Sequence, residues 1–486
     1  MISNFHPNSP YKVYKQDVWW SDKWDALTYG REIDWNRSFF EQYFELLLAV
    51  PKYALHTSYE YDENSDYTNY CTKNKDCYMI FDSDKNRSCY YSYSANSSED
   101  CMDCFRIGKC ERSAECVDCM KCYGCYGAQD CQNCADSLFL KNCIGCKNCI
   151  MCSNLKNKEY WVENAQVSKE DFERIKNMLT TRTGLAGAEK RFSELCLQYP
   201  QRYMHGMQNE DVLGDYLTNC KNAQLCFDSR DLWDCRYNYQ GWMPTKDAMD
   251  VQQIGDVEMA YECAFSGMEA QRLWFTSHCF GSSDILYASH CPHSSSLFGC
   301  AGVKRKKYCI LNKQYTKEEY EKLVPKLIEH MRKTGEWGEY FPMRIAPFMY
   351  NETIAQDYFP LTKNECEKEG LSWREDDPHD RLQATYVVPE TISGVPDTVT
   401  GEILTCEYCS KNYRIIQKEL EFLRSANLPL PKTCFFCRHS SRRQRRNPRK
   451  LYQRSCGNCA KKIETTYSPE RKENICCEEC YQKEVY

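Results

Sequence analysis

Cys116–Cys125 reads CVDCMKCYGC, and Cys143–Cys152 reads CIGCKNCIMC. Four cysteines at i, i+3, i+6 and i+9, given twice, suggest either a pair of iron–sulfur loops or a repeat in which each thiol fills an equivalent place. A bacterial ferredoxin loop is C-x2-C-x2-C-x3-C-P. Here the last spacing is x2, and Tyr126 and Ser153 follow where that loop has proline. The wider spacing favours the repeat. Cys77, Cys89 and Cys101 are 12 apart, as are Cys119, Cys131 and Cys143, and cysteines 77, 89, 104, 116, 119, 122 and 125 recur 27 residues on. Asp, Ser, Glu or Asn often precedes the thiol, as in DCY at 76, SCY at 88 and NCI at 142. Fixed periodicity of this kind indicates stacked repeats. The expectation is a parallel β-solenoid with turns of about 24 to 27 residues, two short strands in each. No proline between Pro51 and Pro200 interrupts a backbone ladder.

Shifting the chain by 148 residues places Cys131, Cys143 and Cys152 on Cys279, Cys291 and Cys300, then aligns CSNLKNKEYWVENAQVSKEDFERI with CAGVKRKKYCILNKQYTKEEYEKL without a gap. The chain is therefore duplicated. Cys134, Cys146 and Cys149 fall on Ser282, Ser294 and Leu297, so the second copy lacks the thiols of a cluster loop. His278 and His290 fall where the first copy has Asp130 and Asn142, which assigns them to turns. With His293 they are the residues a hydrolase reading would use, but no carboxylate pair emerges from the spacing.

The predicted fold is mainly β with flanking helices: two tandem, duplicated parallel β-solenoid halves capped by helices, plus a C-terminal double zinc ribbon. Residues 1–65 form a helical lead-in, with Ser38 and Glu41 opening a helix that packs on the first solenoid half. Copy one spans 66–200 and copy two 201–335, closed by helices after Ser168 and Thr316. Residues 336–400 connect, with a helix at 363–370, and residues 401–486 hold the ribbons.

Cys406, Cys409, Cys434 and Cys437 are spaced C-x2-C-x24-C-x2-C, and Cys456, Cys459, Cys477 and Cys480 are spaced C-x2-C-x17-C-x2-C. Such paired knuckles predict two structural Zn²⁺ sites, saturated by thiolate and without an open position for catalysis. Cys477 is chosen over Cys476 because it keeps the C-x2-C pairing. Between the sites, residues 438–454 carry seven arginines and one lysine with no acid. Arg438, Arg442, Arg443, Arg445, Arg446, Arg449, Lys450 and Arg454 are thus candidates for phosphate contacts with RNA or DNA, with Phe435 or Tyr452 to stack a base. The alternative is a strip docked on an acidic surface of the same chain.

The segments KNYRIIQKELEFLRSANLPLPKTC, RNPRKLYQRSCGNC and ETTYSPERKENICCEECYQKEVY, with WWSDKWDALTYGREIDWNRSFFEQ and the Cys and Tyr repeats, resemble an uncharacterised Cys/Tyr-rich repeat family of uncultured bacteria. The resemblance covers most of the chain and implies a C-terminal pair of zinc ribbons, the second similar to a CxxC-x17-CxxC zinc domain. Where that family varies the ligands of its first ribbon, this chain keeps all four cysteines. Members sometimes bear a CoA-transferase label, which no nucleotide-binding loop or placed carboxylate here supports.

Composition bounds the rest. The 486 residues include 35 Cys and 36 Tyr, which displace the usual aliphatic core residues, and the net charge is -6. With no apolar leader and no window of about 18 apolar residues, the expectation is a soluble cytoplasmic protein without a membrane partner. In that compartment thiols stay reduced and serve as ligands or small hydrophobes. The functional expectation is a non-catalytic zinc-binding protein that binds nucleic acid through the arginine strip. The alternatives are a protein-protein interaction scaffold on the solenoid, an iron–sulfur electron-transfer protein, and a carbohydrate-active enzyme in a solenoid groove.

Overall fold

Every third residue from Cys71 to Cys152 is buried, and the residue just before each one has a positive φ of about 46 to 66°. A left-handed residue turns the chain sharply and is unfavourable by about 1–2 kcal/mol for most side chains, least so for Gly, Asn and Asp. This explains the small polar residue ahead of so many cysteines: Asp76, Ser88, Asp100, Asp118 and Asn142 all sit at the bend. Three residues separate one bend from the next.

The computed structural model describes residues 1–57, 61–241, 243–375 and 381–485. In the first β region, residues pair in parallel with those 12 positions on. Lys75, Arg87, Glu99, Glu111, Tyr123, Ala135 and Lys147 form one such column of bridges, and Tyr78, Tyr90, Met102, Ala114, Tyr126 and Leu138 the next. The repeat is thus 12 residues with four three-residue sides, half or less of the 24 to 27 expected. The 27-residue recurrence is two repeats plus one side, and C-x2-C is the side length itself.

Four buried positions fall in each 12-residue repeat, and they take small or slender side chains that pack in one cluster. Cys119, Cys122, Cys125 and Ala128 make one such layer, Cys71, Asn74, Cys77 and Ile80 another. Cysteine suits the position twice over: it packs as a small hydrophobe and its S–H finds a backbone acceptor. Cys116 donates to Ala114 O at 3.4 Å and lies 3.6 Å from Cys125 O, and Cys122 is placed in the same way.

The second β region is an 11-stranded sheet running in chain order from Gly206–Met207 to Lys313–Gln314, parallel except for the last pair. Its register drifts from 11 (Glu210 to Lys221) through 12 (Lys221 to Trp233) to 13 (Leu232 to Thr245). Here the buried line is Ala223, Cys235, Ala248, Ala260, Leu273, Ile285, Leu297 and Cys309, with fewer thiols than in the first region. His278 and His290 occupy the same left-handed position as Asp130 and Asn142.

The helices start where side chains cap them. Ser38 accepts from Glu41 N ahead of Phe39–Ala49, Ser168 from Asp171 N ahead of Lys169–Met178, and Thr316 with Glu319 makes a reciprocal capping box for Lys317–Thr334. Thr362 likewise caps Lys363–Lys368. The first of these helices does not pack on the β region that comes after it in the chain. Phe39 and Phe40 instead meet Tyr287 and Phe298 of the second region, and their backbone N–H groups donate to the Glu336 carboxylate at 2.9 and 2.7 Å. The aromatic column Phe275, Tyr287 and Phe298 supplies the apolar surface on which this helix packs.

Candidate metal centres, arginine strip and cleft

The eight C-terminal cysteines form two groups, Cys406, Cys409, Cys434, Cys437 and Cys456, Cys459, Cys477, Cys480, with the sulfurs of each all within 4.8 Å of one another. In both, one knuckle caps a short hairpin and the other opens a helix. Leu404–Thr405 pairs with Asn412–Tyr413, and Tyr452–Ser455 with Lys462–Thr465. Cys434 and Cys437 flank the start of Phe435–Gln444, while Cys477 precedes Glu478–Val485. Unpaired N–H groups at a helix start favour a thiolate. Burial alone would raise the Cys406 thiol, but N–H donors from Cys409 and Cys434 bring it down to about 6, and Cys456 reaches about 6 in the same way. Cys409 and Cys434 lie 3.7 Å apart, as do Cys459 and Cys477. Sulfurs about 2.3 Å from one tetrahedral ion are about 3.8 Å apart, so both sets are compact enough to hold one metal ion. Cys476 stays outside: it is buried in the strand Ile475–Cys476, which pairs with Gln201–Arg202.

Among the described residues these two are the groups of three or more Cys, His, Asp or Glu whose ligand atoms converge. The thiols of CVDCMKCYGC and CIGCKNCIMC do not converge in this way.

The arginine strip faces inward. Helix Phe435–Gln444 lies along the first β region, where carboxylates recur every 12 residues. Arg438 pairs with Asp103 at 3.0 Å and Glu419 at 3.2 Å, and Arg442 with Asp103 and Glu115 at 2.9 Å each. Arginines four apart on a helix rise about 6 Å, close to the roughly 4.8 Å between adjacent β strands, so the two ladders mesh. Arg445 joins Glu115 at 3.2 Å, and Arg443 joins Asp357 at 3.0 Å. Beyond the helix Arg446 reaches Asp118 of the first region at 2.6 Å and Asp228 of the second at 2.5 Å, with Arg449 on Asp228 at 2.8 Å. Arg442 is fully buried, and Arg438, Arg446 and Arg449 expose no more than 8%. Six of the eight residues expected to meet phosphate therefore already have carboxylate partners. Of the other two, Lys450 is exposed above the Tyr452 ring, and Arg454 donates to Ser468 O. Phe435 packs on Tyr91 rather than offering a free stacking face.

The two β regions also meet directly, through the side chains at their left-handed bends. Tyr70, Asp82, Ser94, Arg106, Asp118 and Asp130 succeed one another at 12-residue intervals on the first region. Opposite stand His278, Gln253, Gln240 and Asp228, in descending order. Tyr70 OH is 2.7 Å from His278 Nε2, Gln253 donates to Asp82 at 2.9 Å, and Arg106 donates to Asp228 O at 3.2 Å. Burial pushes Asp82 up to about 7 and Asp118 up to about 7, whereas three arginines hold Asp228 far below the usual carboxylate range against the effect of burial. Burial keeps His278 and His290 neutral; they stack at 4.5 Å and 5°. Beside this seam runs a cleft of about 2100 Å³, with Asp82, Arg106, Asp130, His205, Tyr216 and Phe265 in its wall. The acidic partners and the cleft were missed in the sequence. Their signal is two 12-residue columns, Asp103 and Glu115, and Asp82, Ser94, Arg106, Asp118 and Asp130, which show only once the repeat length is known.

No family model and no curated protein matches the chain. Among solved structures, a chain named "putative acetyltransferase" from Desulfovibrio desulfuricans G20 aligns with 54% of this chain and 68% of its own length, at 6% identity and a TM-score of 0.12. A likeness at that TM-score carries no argument about fold or activity.

Proposed function

We propose that the chain is a non-catalytic, zinc-stapled scaffold for protein partners. In this reading each β region is a solenoid of 12-residue coils, and the two lie side by side, antiparallel. The C-terminal ribbons hold one Zn²⁺ each and serve as a clamp. Zinc is favoured over other metals by four-thiolate sets without a vacant ligand position. The observation that carries the reading is Arg446, whose guanidinium bridges Asp118 of one β region and Asp228 of the other. A strip used in this way has little charge left for nucleic acid, while the columns at Lys75, Arg87, Glu111 and Tyr123 and at Lys221, Lys246, Glu258 and Gln271 remain exposed for a partner. Titration of the purified protein with mixed RNA and DNA across a salt series tests it. No binding, or binding without salt dependence, is expected; tight binding that weakens steeply with salt would restore the nucleic-acid reading.

A further inference from the structure

His205 sits in the cleft wall between two carboxylates. Asp215, 2% exposed, accepts from His205 Nδ1 at 3.0 Å, from the backbone N–H of His205 at 2.6 Å and of Tyr216 at 3.0 Å, and from Thr466 Oγ1. That set of donors fixes the ring, which also stacks on Tyr216 at 4.4 Å and 4°. The other nitrogen, Nε2, points at Asp130 Oδ2 but stops 3.8 Å short, too far for a hydrogen bond. Asp130 is 10% exposed, and its Oδ2 is buried without a hydrogen-bond partner. A buried carboxylate oxygen left unsatisfied is unfavourable by about 1–3 kcal/mol or more. The gap thus holds an acceptor without a donor and, facing it, a ring nitrogen held in place by Asp215.

With His205 protonated, as the flanking Asp215 and Asp130 favour against the effect of burial, a hydroxyl satisfies both through a single oxygen, donating to Asp130 and accepting from His205 Nε2–H. The surroundings extend that preference. Gln132 and Asn142, which both donate and accept, stand on the same wall. At about 2100 Å³ the cleft exceeds the roughly 300–1,000 Å³ of single small-molecule pockets, so the occupant is extended. Its walls mix acids such as Asp82, Asp84 and Asp130 with cations such as Lys85, Arg106 and Lys109 in near-equal number, which favours no charged polymer. We infer that the cleft binds an extended, uncharged polyhydroxylated ligand of the oligosaccharide class, one hydroxyl of which bridges Asp130 and His205.

The test is calorimetric titration of the full-length, zinc-loaded protein with cellohexaose, maltohexaose, xylohexaose and chitohexaose, alongside dT12 and a hexaglycine peptide. At least one neutral hexaose should bind, its monosaccharide at least tenfold more weakly, and Asp130→Asn and His205→Gln should each weaken it tenfold or more. Should a variant fail to fold, the His205 ring resonance of the wild-type protein must shift on adding the same hexaose. No hexaose binding at millimolar concentration, unchanged binding by the folded variants, an unmoved His205 resonance, or binding of dT12 or the peptide instead would each overturn the inference.

Discussion

Replacing Arg446 by Met should be among the most damaging single changes in the chain. The methionine keeps much of the stem's bulk, so the effect isolates the charge. It leaves Asp118 and Asp228, with side chains 11% and 2% exposed, facing each other across the seam. Arg106 is within 3.5 Å of Asp118 and 3.8 Å of Asp228 and compensates in part, as does Arg449 on Asp228. Breaking a buried pair by removing one partner costs about 3–5 kcal/mol, and with this residual compensation the lower end, about 3 kcal/mol, is expected. The pair Lys75–Glu63, with both side chains more than half exposed, should be worth under about 1 kcal/mol by comparison. Urea unfolding at neutral pH measures both, and Arg446→Lys, which cannot fork between two carboxylates, should fall between wild type and Arg446→Met. A pH series adds a sign. The low folded pKa of Asp228 gives stability that is present above about pH 4 and lost as pH falls further; without Arg446 the folded pKa moves back toward the unfolded one, so that acid-side loss should be smaller. Adding Asp228→Asn should recover part of the loss. An Arg446→Met cost below about 1 kcal/mol, or no recovery in the double variant, would refute the clamp.

Other consequences are simpler to state. Asp82 is raised to about 7 by burial, so its effect runs the other way: stability is full below about pH 4 and falls as pH rises through 7. Asp82→Asn should flatten that slope and raise stability at pH 8, by up to about 4 kcal/mol, as read by thermal or urea unfolding across pH. Lys121 lies exposed at φ 54°, so Lys121→Val should destabilise by about 1–3 kcal/mol, while Lys121→Gly should stay within about 1 kcal/mol of wild type in the same assay. Cys119→Leu in the four-residue core layer should cost about 1–3 kcal/mol by overpacking, whereas Cys119→Ala should cost less.

How far the sequence leads depends on whether the informative residues are neighbours along the chain. The metal groups were legible because each knuckle is a local pair, Cys406 with Cys409 and Cys477 with Cys480, and successive knuckles in the sequence are the ones that converge. Helix starts at Ser38, Ser168 and Thr316 were equally local, each fixed by a side chain three residues from its partner. The repeat was visible, but its length was misjudged, since C-x2-C marks a side and 27 is a compound of sides and coils. The bends carry that information in Asp76, Ser88 and Asp100, residues that prefer turns in many contexts and so point to no one geometry. The arginine strip was half legible, its charge but not its carboxylate partners. Its counter-charges, Asp103, Glu115, Asp118 and Asp228, lie more than 200 residues away and dispersed, so the acid-free segment reads as a surface waiting for phosphate.

Metal belongs only at Cys406, Cys409, Cys434, Cys437 and Cys456, Cys459, Cys477, Cys480 if the thiols of Cys71–Cys152 are core packing. Elemental analysis of the purified chain tests that division most directly. Two zinc and no iron per chain are expected, with one zinc remaining when Cys406 and Cys434 are changed to Ser. Several irons with labile sulfide, or zinc well above two per chain, would contradict it.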